Sequence, residues 1–214
     1  MIEWSKYFDA IYVLSRTDPR IRQDIIAEIN RVGMNQTNIL RFNCIFATPL
    51  DEHNFAGIIP RGVDFIKENN KASLAIVLGL YNVFQECLGM GLKRILVVED
   101  TCRFIDDLDK IQSVLDHLPE NWDFIQFDRS KQTGYVSQIL EEGEFFNGRY
   151  IGGFSSSVCN AYSLNAAYVG SVILSREFYL PGMLFANNPN EPRIHVLRRY
   201  IAAKNIIEHG DNDG

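Results

Sequence analysis

The sequence predicts an α/β sandwich with a mainly parallel central sheet and helices on both faces. Three observations predict it. Runs of β-forming residues alternate with runs of helical periodicity through most of the 214 residues, the order expected of strand–helix–strand units. The run Ile95-Leu96-Val97-Val98 is apolar on successive residues, as a strand buried on both faces must be. That run stops abruptly at two carboxylates, Glu99 and Asp100, and in open α/β sheets ligands bind at the carboxyl ends of strands. The length fits one domain, 1–208, with 209–214 as a polar tail.

Asp9 to Leu14 reads as the first strand. Asp18-Pro19 then sets an N-cap followed by proline at the first helical position. Ile21, Ile25, Ile29 and Val32 follow at helical spacing, and Gly33 is placed to end that helix. Asn38 to Phe46 reads as a second strand, and the Pro- and Gly-punctuated stretch 48–62 as a surface loop. Ala72 to Leu88 is apolar on nearly all sides, a helix buried deep in the domain, closed by Gly89 and Gly91. After the acidic strand, Phe104, Leu108, Ile111, Leu115 and Leu118 form one apolar stripe of a helix that Pro119 stops. Trp122 to Asp128 alternates apolar and polar, a strand. The segment 131–149 reads as loop, Ala166 to Leu174 as a further strand, and 180–192, with three prolines and three asparagines, as a loop. Pro192 to Ile207 is expected to form a last helix with Ile194, Leu197 and Ile201 turned inward.

Bulk properties exclude several classes. A net charge of −6 argues against binding of nucleic acid, which calls for a basic face. The four cysteines, Cys44, Cys87, Cys102 and Cys159, include no Cys-x-x-Cys pair and no histidine spacing of a zinc site. They read as buried hydrophobes in a reducing compartment. The first residues lack the layout of a signal peptide, and the most apolar window, Ala72 to Phe84, is shorter than the roughly 20 residues that cross a bilayer. A cytoplasmic protein, in solution or peripheral to a membrane, is expected.

The candidate chemistry gathers at strand ends. Glu99 and Asp100 suit a divalent cation, Mg²⁺ or Mn²⁺, or the hydroxyls of ribose or sugar. Successive strand residues face opposite ways, so only one of the two need meet a ligand. The other reading is that one acid caps the following helix. Ser15 and Arg16, in the first strand-to-helix loop, and Arg20 and Arg22 beyond them are placed to grip a diphosphate at a helix N-terminus, although Arg20 and Arg22 also suit a solvated helix face. Asp128, at the carboxyl end of its strand, suits a substrate hydroxyl or a plain turn. Ser155 to Asn160 reads as a polar loop, since no Gly-x-Ser-x-Gly elbow surrounds its serines. A nucleotidyltransferase is disfavoured, because no glycine-rich loop follows the first strand.

The run Tyr81-Asn82-Val83-Phe84 through Gly91 to Glu99-Asp100 resembles the central segment of glycosyltransferase family 25, the family of lipooligosaccharide galactosyltransferases and collagen galactosyltransferase domains. Trp122 to Phe127 looks like its Trp-Asp strand, Ile11 to Gly33 its opening strand, arginine loop and helix, and Ala167-Tyr168-Val169 with Ser171 its later aromatic strand. The resemblance runs over roughly residues 9 to 180. It implies a GT-A type, Rossmann-like sandwich that transfers a hexose, galactose being one choice, from a nucleotide sugar to a glycan acceptor, as in lipopolysaccharide or other surface-glycan synthesis.

On that resemblance Asp100 and Asp128 are the expected catalytic residues, Asp100 the metal ligand for Mn²⁺ or Mg²⁺, and Ser15, Arg16, Arg20, Glu99 and Tyr168 the expected substrate-binding residues. His195 would fall near a late metal ligand of the GT-A fold, or on a helix surface. The chain departs from the family pattern at four places. Thr101 stands where the family's third acid would be, Gly79-Leu80 where it has Ser-His, Leu14-Ser15 where it has Asn-Leu, and Gly182-Met183 where an acidic pair follows Leu-Pro. Those departures define the alternative: a family-25-like domain without catalysis, serving as a sugar, nucleotide or protein binding module.

Overall fold

A computed structural model describes residues 2–15, 23–44, 68–128, 145–147, 158–176, 184–185 and 192–208. Arg16, Arg20, the loops predicted at 48–62 and 180–192 except for residues 184, 185 and 192, and the tail 209–214 lie outside the described residues.

Among the described residues, seven strands form one sheet: β1 (Ala10–Ser15), β2 (Leu40–Cys44), β3 (Arg94–Glu99), β4 (Phe124–Gln126), β5 (Phe145–Asn147), β6 (Cys159–Ser163) and β7 (Arg199–Ala202), in the order β2-β1-β3-β6-β4-β7-β5. The pairs β1–β2, β1–β3 and β4–β7 are parallel, while β6 is antiparallel to both β3 and β4, and β5 to β7. Five strands therefore point one way, with β6 inserted in the middle and β5 at an edge running back. The sheet is mainly parallel, as expected.

Helices cover both faces. Among the described residues, α1 (Gln23–Arg31) and α3 (Leu108–Asp116) pack on one side through Ile25, Ile29, Ile111, Val114 and Leu115, against Ile11, Val13, Leu96, Val98 and Ile125. The helices α2 (Glu68–Met90) and α4 (Leu164–Leu174) pack on the other, with Leu80, Val83, Phe84, Ala166 and Ile173 against Tyr12, Leu14, Ile95, Val97 and Phe124. Alternation along each strand thus feeds two cores at once.

The punctuation works as the residue types dictate. Gly33 and Gly91 hold positive φ angles of 77° and 65°. After α2, the Gly91 amide donates to the Leu88 carbonyl at 3.3 Å and the Leu92 amide to the Cys87 carbonyl at 3.0 Å. These are the two bonds of a Schellman cap. Asp107 caps α3, its carboxylate accepting from the Lys110 amide at 2.9 Å. Trp4, fully buried, ties the N-terminal segment to the α1 layer by donating Nε1–H to the Val32 carbonyl at 2.8 Å and meeting the Phe104 ring edge-on at 5.8 Å.

Several elements differ from the sequence reading. Ala166 to Leu174 is helix, not strand: Ser163 caps it by accepting from the Ala166 amide at 3.1 Å, and the small residues let it lie against α2. An apolar helix buried nearly all round shows no amphipathic stripe, so its run of apolar residues matches that of a buried strand. The expected last helix is a short 3₁₀ segment (Pro192–Val196) followed by strand β7. Ile194, Leu197 and Ile201 are buried as predicted, but the gap between β4 and β5 claims Arg199 to Ala202 for the ladder. Part of the segment read as loop at 131–149 is edge strand β5, and Cys159-Asn160 belong to central strand β6 rather than to a polar loop. The helix after β3 begins at Leu108; Phe104 instead pairs with Ile207 in an isolated bridge.

Close approach of α2 and α4 rests on Gly170. A Cβ there would lie well inside contact distance of the Phe84 ring and 3.2 Å from Phe185 Cζ. Gly170→Ala should destabilise the protein by about 1–3 kcal/mol through overpacking. Gly89, with open space around it in α2, provides the control: Gly89→Ala should be neutral or stabilise by up to about 1 kcal/mol. Chemical denaturation of the two variants checks the pair; equal effects would contradict this packing.

Candidate functional site

β1, β3 and β4 run in the same direction, so their carboxyl ends lie at one end of the sheet. There the Asp100 amide donates to the Leu14 carbonyl at 2.9 Å, extending the β1–β3 ladder by one bond. That extension brings two side chains together: Ser15 Oγ donates to Asp100 Oδ2 at 2.7 Å. Both residues are buried, and both continue the face that carries Val13 and Val98. Glu99, also buried, continues the opposite face, that of Ile95 and Val97. The two acids are divided by the sheet plane, as strand alternation requires.

The capping alternative is settled by α3. Its N-cap is Asp107, so neither Glu99 nor Asp100 caps it. The turn after Asp100 is held from another direction. Glu28 on α1, buried, accepts from the Phe104 amide at 2.5 Å and pairs with Arg31 at 2.6 Å. Arg31 in turn donates to the Phe104 carbonyl at 2.6 Å and reaches Asp106 at 3.1 Å. A helix on one side of the sheet therefore clamps the chain that leaves the acidic strand. Charge-assisted bonds of this kind are short and about twice as strong as neutral ones.

Asp128 lies two residues beyond β4 and is buried. Its charge, with that of Glu28, is felt at Cys102. The Cys102 thiol is pushed well above its ordinary value, first by burial and then by a hydrogen bond with the Cys159 thiol and the nearby charges. Asp128 thus sits at the same end of the sheet as Ser15 and Asp100. A protonated, buried thiol is inert, so Cys102 reads as core rather than nucleophile.

Two buried amides belong to this end: Gln126, not singled out in the sequence, and Asn160, read there as the end of a polar loop. β6 lies between β3 and β4, with Asn160 in register with Val97 on one side and Gln126 on the other. Both amides are fully buried, and they share the α2/α4 side of the sheet with Glu99. Asn160 hydrogen-bonds Tyr162, whose hydroxyl burial pushes up. Gln126 donates Nε2–H to the Asp128 carbonyl. The available signal was an amide inside a strand covered on both faces, where an apolar residue is the rule.

Other candidates fall elsewhere. Tyr168 is 57% exposed on the outer side of α4, a helix that starts at the opposite end of the sheet, so the structure does not bring it to Asp100. Asp123 is a structural bracket at that same far end: Oδ1 accepts from Ser163 Oγ at 2.9 Å and Asn165 Nδ2 at 3.1 Å, and Oδ2 from the Arg198 amide at 2.9 Å. Thr101 is exposed. For a metal, no group of three His, Cys, Asp or Glu side chains among the described residues is arranged to hold an ion. Asp100 already commits one carboxylate oxygen to Ser15. Among the described residues, no helix is long and apolar enough to cross a membrane.

Comparison with known proteins adds little to this geometry. No family model matches the chain, and no curated protein matches it. Among solved structures, it is similar to a glycosyltransferase involved in the glycosylation of the major capsid of PBCV-1. That likeness covers 90% of this chain and 81% of the other, at 13% sequence identity and a TM-score of 0.49.

Thiol chemistry offers a direct check on the site's interior. Cys87, Cys102 and Cys159 are buried and free. A disulfide-exchange reagent should leave all three unmodified in the native protein at neutral pH and modify them on unfolding, as read by mass spectrometry of peptides. Burial, with Asp9 and Glu86 nearby, pushes the Cys87 thiol up to about 11 from 9.0. The folded state holds that proton more tightly, so the contribution to stability is complete below pH 9 and is lost as the pH rises from about 9 to about 11. Denaturation midpoints of Cys87→Ala against wild type across that window should converge as the pH increases.

Proposed function

We propose that this chain is a glycosyltransferase of the GT-A type, related to family 25, that binds a nucleotide sugar at the carboxyl ends of β1, β3 and β4. One observation carries the reading: the buried Ser15–Asp100 pair, with Glu99 and Asp128 buried at the same sheet end. Carboxylates drawn into a sheet interior at the end where α/β proteins bind ligands suit hydroxyl recognition and proton transfer. The resemblance of the Gly91–Asp100 and Trp122–Phe127 runs to family 25 supplies the reaction class.

In that reaction a hexose passes from a nucleoside diphosphate to a glycan hydroxyl. The anomeric carbon–phosphate oxygen bond breaks, a bond to the acceptor oxygen forms, and the acceptor's proton goes to a carboxylate. Asp128 takes that proton, as a buried base at the strand end. Asp100, held by Ser15, and Glu99 orient the donor from opposite sides of β3. Arg16 and Arg20 grip the diphosphate. A bound Mn²⁺ or Mg²⁺ would neutralise charge on the leaving diphosphate.

A thermal-shift screen of UDP-, GDP- and CMP-sugars, with and without Mn²⁺, tests the binding step; stabilisation by at least one donor is expected. For the chemical step, Asp128→Asn should lower kcat by roughly 10²–10⁴ with little change in KM, measured as release of nucleoside diphosphate. Wild-type turnover that Asp128→Asn leaves intact would remove Asp128 from this role.

The exposed Thr101, standing where family 25 has its third acid, favours a second reading, a domain that keeps the donor site and has lost turnover. It is distinguished by stabilisation with a nucleotide sugar and no diphosphate release under any metal.

A further inference from the structure

We infer that Gln126 recognises a sugar hydroxyl of the bound ligand. The inference rests on the donor-binding reading above and adds to it which chemistry faces β4. Gln126 is fully buried in the middle of a sheet covered on both sides. Its amide runs along the strand toward the carboxyl end, because Nε2–H donates to the carbonyl of Asp128 two residues on. A carbonyl only accepts, so this bond fixes the orientation of the amide. Oε1 is then the other end of the group, fully buried with no hydrogen-bond partner among the described residues. Buried acceptors are nearly always satisfied, and one that is not marks a place where a donor is missing.

The surroundings say what kind of donor fits. Across one strand pair lies Asn160, and beyond it, two residues past Val97, the Glu99 carboxylate on the same side of the sheet. A carboxylate on the same side of the sheet disfavours phosphate, which at neutral pH offers acceptors and negative charge. A polyhydroxylated ring offers O–H donors to carboxylate and amide oxygen alike. The geometry therefore sets a sugar ring at the sheet end where β3 and β4 finish, toward the α2/α4 side, and leaves the diphosphate to the Ser15 side, where α1 follows β1. Two rings of a nucleotide sugar carry such hydroxyls, the ribose and the transferred hexose, and the probes below separate them.

Titration calorimetry of wild type and Gln126→Met with UDP-glucose, UDP-galactose, their deoxyhexose analogues, UDP and 2′-deoxy-UDP tests the assignment. One deoxy analogue should bind wild type about five- to tenfold more weakly than its parent, the usual effect of one buried hydrogen bond. Gln126→Met should bind that analogue and its parent alike, closing a double-mutant cycle. Loss on a deoxyhexose assigns the hexose, and loss on 2′-deoxy-UDP assigns the ribose; either supports the inference. Circular dichroism confirms that the variant is folded, and Gln126→Ser replaces it if it is not. The assignment is overturned if no analogue differs from its parent on wild type, or if the variants discriminate as wild type does. Wild-type binding without discrimination removes the Gln126 assignment alone, whereas no binding of any probe, together with no stabilisation by any donor in the thermal-shift screen, removes the donor-binding reading with it.

Discussion

A sheet covered on both faces leaves its strands no side for water. That constraint shapes this protein more than any single bond. Every residue of β1, and all of β3 after Arg94, is buried. Apolar side chains must therefore fill both alternating sets, and Ile95 to Val98 do so. Polar groups can enter such strands only where a partner meets them. They collect at one end of the sheet, Ser15, Glu99, Asp100 and Gln126 at the carboxyl ends of β1, β3 and β4, and Asn160 at the amino end of β6.

The clamp from α1 belongs to the same logic. The chain leaving β3 must turn while its backbone is being withdrawn from water, and buried amides and carbonyls need partners. Glu28 and Arg31 supply them at Phe104, and Asp107 supplies the cap for α3. The acidic turn is thereby positioned by groups on the helix layer, not by its own short-range geometry. Asp100 is fixed in turn by Ser15, which comes from a strand 85 residues earlier.

Much of the fold was legible. Strand alternation, the Gly33 and Gly91 stops and the amphipathic stripes of α1 and α3 reflect local rules that tertiary structure had no reason to override. The errors have different causes. Ala166 to Leu174 is buried on nearly all sides, and full burial erases the periodicity that separates helix from strand, whereas Ile194, Leu197 and Ile201 are spaced as in a helix and the ladder overrode that pattern. α4 became a helix because Ser163 caps it and Gly170 lets it approach Phe84. β7 became a strand because β4 had a free edge. Tyr168, expected at a ligand on the resemblance to family 25, lies on the exposed side of α4.

For the site, the sequence by itself determined the acids and their alternation. A buried run ending in Glu99-Asp100 dictates that the two point to opposite faces, since that follows from the period of a strand. Only the tertiary structure decided which groups join them. The insertion of antiparallel β6 between β3 and β4 brings Asn160 beside Gln126, and the parallel pairing of β1 with β3 brings Ser15 to Asp100. Strand order is a long-range choice, set by which edges can pair and be covered, and no local pattern of residues records it.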